Sequence, residues 1–422
     1  MVGMQSCLLP VWFASMSGAV PQPSVIRPHG IDVPPPPSTE KTVVGERLEH
    51  WLDTENFTIQ WNGEGASLAD AEAASVALER SWSVLVEEHG WPPPTSGEDH
   101  KIWVILDPDL EATGLTTGMP TEAWPAGFPT IYLNPVYRTT PDFFASVCAH
   151  EFGHALQFRH RGYYDGTESE PWYWEATSEW MAEVVGPEWD QYAWSSAWYA
   201  EAPDAAYDSM EGFHQYGMML LNAHLAEYAI GSSGVWDVWW SNTGRDWLWE
   251  IERVTGQSAA WLWADFAGSY GAGLLADSIL YETPVEAEES GVIPGHLGAV
   301  YLNLGDVEGE VTVDGGVGTL FLADDWLAFE GTVGIPEGLK PVRLAVTNAS
   351  AGGVSYSVNV GPVERSDTDT GNPASIEGDG DDPPAAKGRG CVTASGPWGA
   401  WWWSLLVLVR FRRESPTKFP PR

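Results

Sequence analysis

The sequence predicts an α+β fold in which a mixed sheet with helices is followed by an antiparallel set of strands. Residues 57–158 show the order strand, long helix, strand, strand and helix, and residues 186–285 are mostly helical and rich in tryptophan. From about residue 291 to 363 the pattern changes to short alternating runs with glycine turns. We therefore expect one domain over residues 46–285 and a small antiparallel β-sandwich over residues 286–363.

The first domain opens with alternating runs that are typical of strands, at residues 57–61, 101–106 and 130–133. Between the first two runs, Ser67 and Asp70 form a capping-box pattern that predicts the start of a helix. This helix is expected to run to about Glu88, because a run of three prolines follows at residues 92–94.

A second helix is predicted directly after the third strand. Thr140 suits the N-cap, Pro141 suits the first helical position, and the charge of Asp142 is favourable near the helix N-terminus. Apolar residues then recur at helical spacing: Phe143, Phe144, Val147, Cys148 and Leu156.

This helix carries the pentad His150-Glu151-Phe-Gly-His154. Residues four apart lie on one helix face, so His150 and His154 can direct their imidazoles at one metal ion. In this motif Glu151 can hold the water that the metal activates. The pentad therefore predicts two ligands of one catalytic Zn²⁺ ion and a general base; the alternative is an amphipathic helix whose histidines are core residues.

A catalytic zinc needs three protein ligands, and a downstream glutamate is the candidate for the third. Glu175 follows His154 by twenty-one residues, which allows one helix to end, a loop to turn and a second helix to return. Glu179 lies one turn further along the same face, placed to accept the free ring N–H of a ligand histidine. The spacing predicts Glu175 as a ligand and Glu179 as the residue that orients a histidine.

With these residues in place, the chain resembles the gluzincin branch of the zinc metallopeptidases, the thermolysin-like plan. The blocks His-Glu-Phe-Gly-His-Ala-Leu-Gln and Trp-Glu-Ala-Thr-Ser-Glu-Trp-Met resemble those of secreted metalloproteases of myxobacteria. The resemblance spans roughly residues 46–285 and is specific only in these two blocks. It implies a zincin-like domain with a helical second lobe, ligands at His150, His154 and Glu175, the base at Glu151, and a supporting acid at Glu179.

The longer metzincin pattern, with a glycine and a third histidine soon after the pentad, is missing from residues 155–165. His160 follows His154 by six residues and stays open as a rival to Glu175. The gluzincin resemblance favours Glu175.

The resemblance also indicates how a substrate is held. In the zincin fold an edge strand lines the cleft and binds the substrate backbone by strand addition. The run at residues 130–134 is the candidate edge, with Ile131, Tyr132 and Leu133 as substrate-binding residues. Hydrolysis also benefits from a donor aimed at the oxyanion, for which His214 and Tyr216 are the candidates.

Composition limits the partners of this protein. A formal net charge of −39 argues against nucleic acid and anionic membrane surfaces as partners. Cys7 and Cys391 fall in the expected terminal segments, which leaves Cys148 alone in the folded part, so no structural disulfide is expected. We expect a monomer that acts on a peptide or protein.

The two ends of the chain indicate export. Residues 1–19 are apolar and lack Lys and Arg, which favours a signal peptide without the usual basic start, and residues 20–45 are a Pro-rich spacer. Residues 364–390 are an acidic linker. Residues 391–413, which follow Gly390, pass from Cys391 through an apolar run to arginines and resemble the sorting tails of myxobacterial surface proteins. The alternative is a frayed tail or a weak membrane anchor.

These observations predict an exported zinc endopeptidase, secreted or attached to the cell surface. Two alternatives stay open. One is a surface adhesion or scaffold protein on a zincin-like shell with a structural metal or none, and the other is a non-peptidase zinc hydrolase.

Overall fold

The computed structural model describes residues 41, 47–94, 97, 99–119, 128–161, 171–240, 246–275, 288–322 and 325–362. Its N-terminal part contains a five-stranded mixed sheet. The strands are β1 (His50–Asp53), β2 (Phe57–Trp61), β3 (Ile102–Leu106), β4 (Gly114–Met119) and β5 (Phe128–Leu133). Their order across the sheet is β1-β2-β3-β5-β4. β2, β3 and β5 run parallel, while β1 and β4 pair antiparallel at the two edges.

Three helices pack against one another beside this sheet: α1 (Leu68–Trp82), α2 (Pro141–Arg161) and α3 (Pro171–Val185). The predicted capping box opens α1, since the Ser67 backbone N–H donates to Asp70 over 2.8 Å. A π-helical segment, Ser83–Glu88, extends α1 to the predicted end. α2 contacts β4 and β5 on one side and α3 on the other. The helix that carries the pentad is therefore held between the sheet and the next helix.

The described residues of the helical lobe predicted for residues 186–285 contain six further α-helices: α4 (Gln191–Glu201), α5 (His214–Gly217), α6 (Met219–His224), α7 (Gly231–Trp240), α8 (Trp247–Thr255) and α9 (Ala259–Gly271). Large aromatic side chains fill its interior, and Trp239 and Trp263 are almost fully buried. Trp239 lies 4.3 Å from Trp247 between ring centroids. Many of the tryptophans thus stabilise the lobe by packing.

The C-terminal part is antiparallel, as predicted. Its strands are β6 (Glu288–Ile293), β7 (Ala299–Gly305), β8 (Glu310–Phe321), β9 (Trp326–Gly334), β10 (Val342–Thr347) and β11 (Val354–Gly361). They form one hydrogen-bonded sheet in the order β6-β11-β8-β10-β7, with β9 paired to β8. The sheet has an apolar core of its own, and α9 packs against β8, β9 and β10.

The predicted α+β class is confirmed: a mixed sheet with helices is followed by a separate antiparallel sheet. Both sheets belong to a compact unit that ends at Glu364. The predicted signal peptide, acidic linker and sorting tail, and nearly all of the Pro-rich spacer, lie outside the described residues. Within the described part of the chain, no helix is long and apolar enough to cross a membrane.

Glu183 near the end of α3 makes the stability of this fold depend on pH. Its side chain is buried and accepts a 2.9 Å hydrogen bond from the Gln191 backbone N–H. Burial, together with Asp190 and Glu179, raises the pKa of Glu183 to about 8. The pKa of Glu183 is thus higher in the folded state than in the unfolded state, where it is near 4.5. Its contribution to the free energy of unfolding is therefore fully present below pH 4.5 and is lost as pH rises towards 8.

We therefore expect the free energy of unfolding of the wild type to fall by on the order of a few kcal/mol between pH 4.5 and 8. Glu183→Gln should abolish this fall. Urea titrations at several pH values measure this loss. Glu72→Gln on the exposed face of α1 is the matched control and should keep the wild-type slope. Parallel pH profiles for Glu183→Gln and the wild type would contradict the burial argument.

Candidate metal centre

The two histidines of the pentad lie one turn apart on α2 and face the same side. Their ring centroids are 4.7 Å apart and the ring planes are nearly perpendicular. His150 is buried and His154 is half-buried. Gly153 lies between them and faces α3. A Cβ at this position would lie only 3.0 Å from the side chains of Met181 and Ser178 on α3, which is closer than ordinary van der Waals contact. The glycine of the pentad thus allows α2 and α3 to pack closely.

Glu175 on α3 completes a group of three possible metal ligands. Its Oε2 lies 3.2 Å from His150 Nε2 and 3.5 Å from His154 Nε2. Neighbouring ligands of a tetrahedral zinc ion with bonds of 2.0–2.2 Å lie about 3.3 Å apart. The spacing of His150, His154 and Glu175 therefore fits one ion, and all three ligand atoms lie within 4.8 Å of one another.

A second layer of polar side chains orients both imidazoles. His150 Nδ1 lies 3.0 Å from Glu179 Oε2. His154 Nδ1 lies 2.8 Å from Gln157 Oε1 and 3.1 Å from the Ser178 hydroxyl. Because each Nδ1–H has an acceptor, each ring favours the tautomer that leaves an Nε2 lone pair for a metal. Glu179 thus occupies the place the sequence predicts for it.

Acidic groups surround the two histidines. Burial of Glu175 acts to raise the pKa of its carboxyl group, but His154 and His150 together hold that pKa well below its usual range. Burial acts to lower the pKa of His150, and the hydrogen bonds with Glu175 and Glu179 outweigh it and raise that pKa. Glu151 is buried here too. A divalent cation would balance this concentration of carboxylates.

Glu151 is held by the edge strand β4. The Thr116 hydroxyl lies 2.7 Å from Glu151 Oε2 and 2.8 Å from the main-chain oxygen of Glu151. Gly114 faces the same carboxylate, since a Cβ there would lie 2.6 Å from the Cγ and Oε1 of Glu151. Burial raises the pKa of Glu151, although His154, His150 and the Thr116 hydroxyl act against this rise.

The prediction that residues 130–134 form the edge strand is wrong. β5 lies between β3 and β4, so both of its sides are hydrogen-bonded and it has no free edge for a peptide. Its Ile131 and Leu133 are fully buried, and Tyr132 is half-buried. β4 takes the edge position instead. The substrate-binding role predicted for Ile131, Tyr132 and Leu133 therefore loses its structural basis.

The structure separates the two candidate oxyanion donors. The Tyr216 ring lies 5.8 Å from the His150 ring, and its phenol lies near the carboxylates of Glu175 and Glu179. Burial and the nearby carboxylates raise the pKa of Tyr216, so its phenol keeps its proton. His214 is buried and stacks on Tyr199 instead, and burial lowers its pKa to about 4 despite Asp204 and Asp208.

His160, the rival third ligand, lies in α2, but its side chain is outside the described residues. Three further residues at the site, Thr116, Gln157 and Ser178, were not predicted. Gln157 follows His154 by three residues, a spacing that places both on one helix face and could have revealed it.

The position of Thr116 predicts a loss of activity without a loss of metal. Thr116→Val keeps the shape of the side chain but removes the hydroxyl that orients Glu151, so we expect kcat on a peptide substrate to fall about tenfold. Zinc content should stay at the wild-type level. Thr116→Ser should restore most of the activity, and a serine variant as slow as the valine variant would contradict the role of the hydroxyl.

Comparison with known proteins gives a family and no function. A family model matches residues 55–267, and its description reads "Family of unknown function (DUF6055)". The match covers the mixed sheet from β2 onwards, the candidate metal centre and most of the helical lobe. No curated protein matches the chain.

Proposed function

We propose that this chain, which belongs to the DUF6055 family, is a zinc-dependent endopeptidase. The convergence of His150, His154 and Glu175 beside the carboxylate of Glu151 is the observation that carries the proposal. Three protein ligands leave room for a water or substrate at the metal, which is the arrangement of catalytic rather than structural zinc sites.

The ligand set favours zinc over calcium and magnesium. Two imidazole nitrogens and one carboxylate oxygen suit zinc, whereas calcium and magnesium prefer oxygen ligands alone. The hydrogen bonds from both Nδ1 atoms, to Glu179 and to Gln157, are the kind that orient zinc-ligating histidines. His150, His154 and Glu175 would hold the ion.

A zinc ion bound here would supply Lewis acidity, which lowers the pKa of water and polarises a carbonyl oxygen. In the proposed reaction, Glu151 accepts a proton from the attacking water and passes it to the leaving amine. Thr116 suits this role because its hydroxyl can donate to the carboxylate, or accept from the carboxyl group while it donates to the main-chain oxygen. Tyr216 is the proposed donor to the developing oxyanion.

β4 is the proposed docking strand for the substrate backbone. It lies at the end of the strand order, so one side is free of strand pairing within the described part of the sheet. A peptide that pairs there would run along the strand that contains Thr116 and Gly114, next to Glu151. This supports a peptide substrate over a small molecule.

Zinc dependence can be tested by removal and return of the metal. The full chain should contain about one zinc ion and cleave a mixed peptide library, lose cleavage with a chelator, and regain it with added zinc. Bound zinc without cleavage of any peptide would contradict the proposal and favour the scaffold alternative. Cleavage of esters but not peptides would favour a non-peptidase hydrolase. Export and surface attachment stay predictions.

A further inference from the structure

A continuous set of aromatic rings begins at the metal centre and follows α4 and α5. We call it the aromatic wall and define it as Trp194, Trp198, Phe213 and Tyr216. The Tyr216 ring lies 5.8 Å from His150 and 5.6 Å from Trp198. Trp198 in turn lies 5.8 Å from Phe213 and 6.1 Å from Trp194. The wall therefore leads directly away from a proposed zinc ligand.

The wall presents apolar surface to solvent. Phe213 is 56% exposed, and Trp194, Trp198 and Tyr216 are half-buried. Elsewhere in the same lobe, Trp239 and Trp263 are packed into the core. Exposed aromatic surface that adjoins a catalytic centre is characteristic of a binding site rather than of core packing.

The backbone at Phe213 is strained. Phe213 has φ 67° and ψ 19°, in the left-handed region. A bulky side chain rarely adopts this conformation, and strained residues of this kind gather at ligand-binding sites. Because Phe213 is largely exposed, its own burial does little to offset the strain. The conformation instead places the ring beside Trp198 and Tyr216.

We infer that the aromatic wall binds an aromatic side chain of the substrate, adjacent to the peptide bond that lies at the metal. This inference rests on the proposed function, because it assumes a peptide held along β4. Aromatic rings pair favourably at centroid distances of 4.5–7 Å, and the rings of the wall have that spacing among themselves. A cationic side chain also binds to ring faces, so a peptide with Lys at the same position is the necessary comparison.

Binding can be measured apart from cleavage. The zinc-loaded Glu151→Gln variant of the full chain would be titrated calorimetrically with the blocked peptides Ac-Ala-Ala-Xaa-Ala-Ala-Ala-NH2, in which Xaa is Phe, Ala or Lys. We expect the Phe peptide to bind at least about tenfold more tightly than the Ala peptide. Equal binding, no binding, or a preference for Lys would overturn the inference.

Substitutions in the wall test its role further. Phe213→Gly relieves the strained backbone, so it should fold with a Tm equal to or above that of its parent while it loses the preference for Phe. Trp198→Ala should lose the preference as well. Trp261→Ala is the matched control, because this tryptophan is 39% exposed on α9, and it should keep the preference. A lower Tm for Phe213→Gly with the preference intact would mean that Phe213 is structural.

The two proposals can fail separately. If the wild-type protein cleaves peptides without any preference for an aromatic residue near the cleaved bond, the aromatic wall is not a subsite but the peptidase stands. If it cleaves nothing, yet the Phe213 and Trp198 variants abolish tight binding of the Phe peptide, the wall stands and the proposed reaction falls.

Discussion

Replacing Glu151 with glutamine is expected to lower kcat on peptides by about three orders of magnitude while zinc stays bound. Glutamine has nearly the same shape but cannot accept the proton of the attacking water, and general-base catalysis contributes about 10²–10⁴-fold. The ligands His150, His154 and Glu175 are untouched, so the metal content should equal that of the wild type. Metal analysis and kinetics on one preparation measure both quantities.

Glu72→Gln is the matched control for Glu151→Gln, because it makes the same chemical change on the exposed face of α1. It should leave both kcat and zinc content unchanged. Full activity in Glu151→Gln would remove the proposed base. A variant that loses its zinc would instead assign Glu151 a role in holding the metal.

Replacing Glu175 with alanine is expected to reduce zinc affinity more than any change in the second layer. The substitution removes one of three ligands and leaves His150 and His154 without the carboxylate that lies 3.2 and 3.5 Å from them. Loss of a residue that only orients a ligand typically costs about 10- to 100-fold in affinity, so loss of the ligand itself should exceed 100-fold. Competition with a zinc-binding dye measures the affinity.

Glu179→Ala provides the graded comparison. It removes the acceptor of the His150 ring N–H, 3.0 Å away, and should weaken zinc binding about 10- to 100-fold without abolishing it. Glu72→Gln should bind zinc as the wild type does. If Glu179→Ala lost more affinity than Glu175→Ala, the assignment of ligand and supporting residue would have to be exchanged.

Much of the mixed sheet could be predicted because its signals are local. β2 and β3 contain alternating or continuous apolar residues, α1 begins at its capping box, and α2 begins at Pro141. β1 and β4 were missed. β4 has the sequence Gly-Leu-Thr-Thr-Gly-Met, and its two glycines and its lack of an apolar run hide it from pattern analysis.

The grouping of the candidate metal ligands could be predicted for the same reason, while the rest of the site depends on topology. His150, Glu151 and His154 share one helix, and Glu175 and Glu179 share the next, so helical spacing alone relates them. The role of Thr116 depends on β4 lying against α2, which no local pattern reveals. Sheet order is set by contacts between residues far apart in sequence, so local patterns place the edge at β5 instead of β4.

Helix geometry prevents the two candidate oxyanion donors from facing the same side. His214 and Tyr216 are two residues apart in α5, and at 3.6 residues per turn their side chains point in nearly opposite directions. Only one of them can face the metal centre. Tyr216 does so, and His214 packs against Tyr199 in the interior.

X-ray absorption at the zinc edge of the purified full chain tests the central claim most directly. Convergence of His150, His154 and Glu175 on one ion predicts two imidazole nitrogens and at least one oxygen at roughly 2.0–2.2 Å in the wild type. It also predicts that Glu175→Ala loses this signal together with most of its zinc. Zinc bound with an unchanged coordination shell in Glu175→Ala, or no zinc in the wild type, would contradict it.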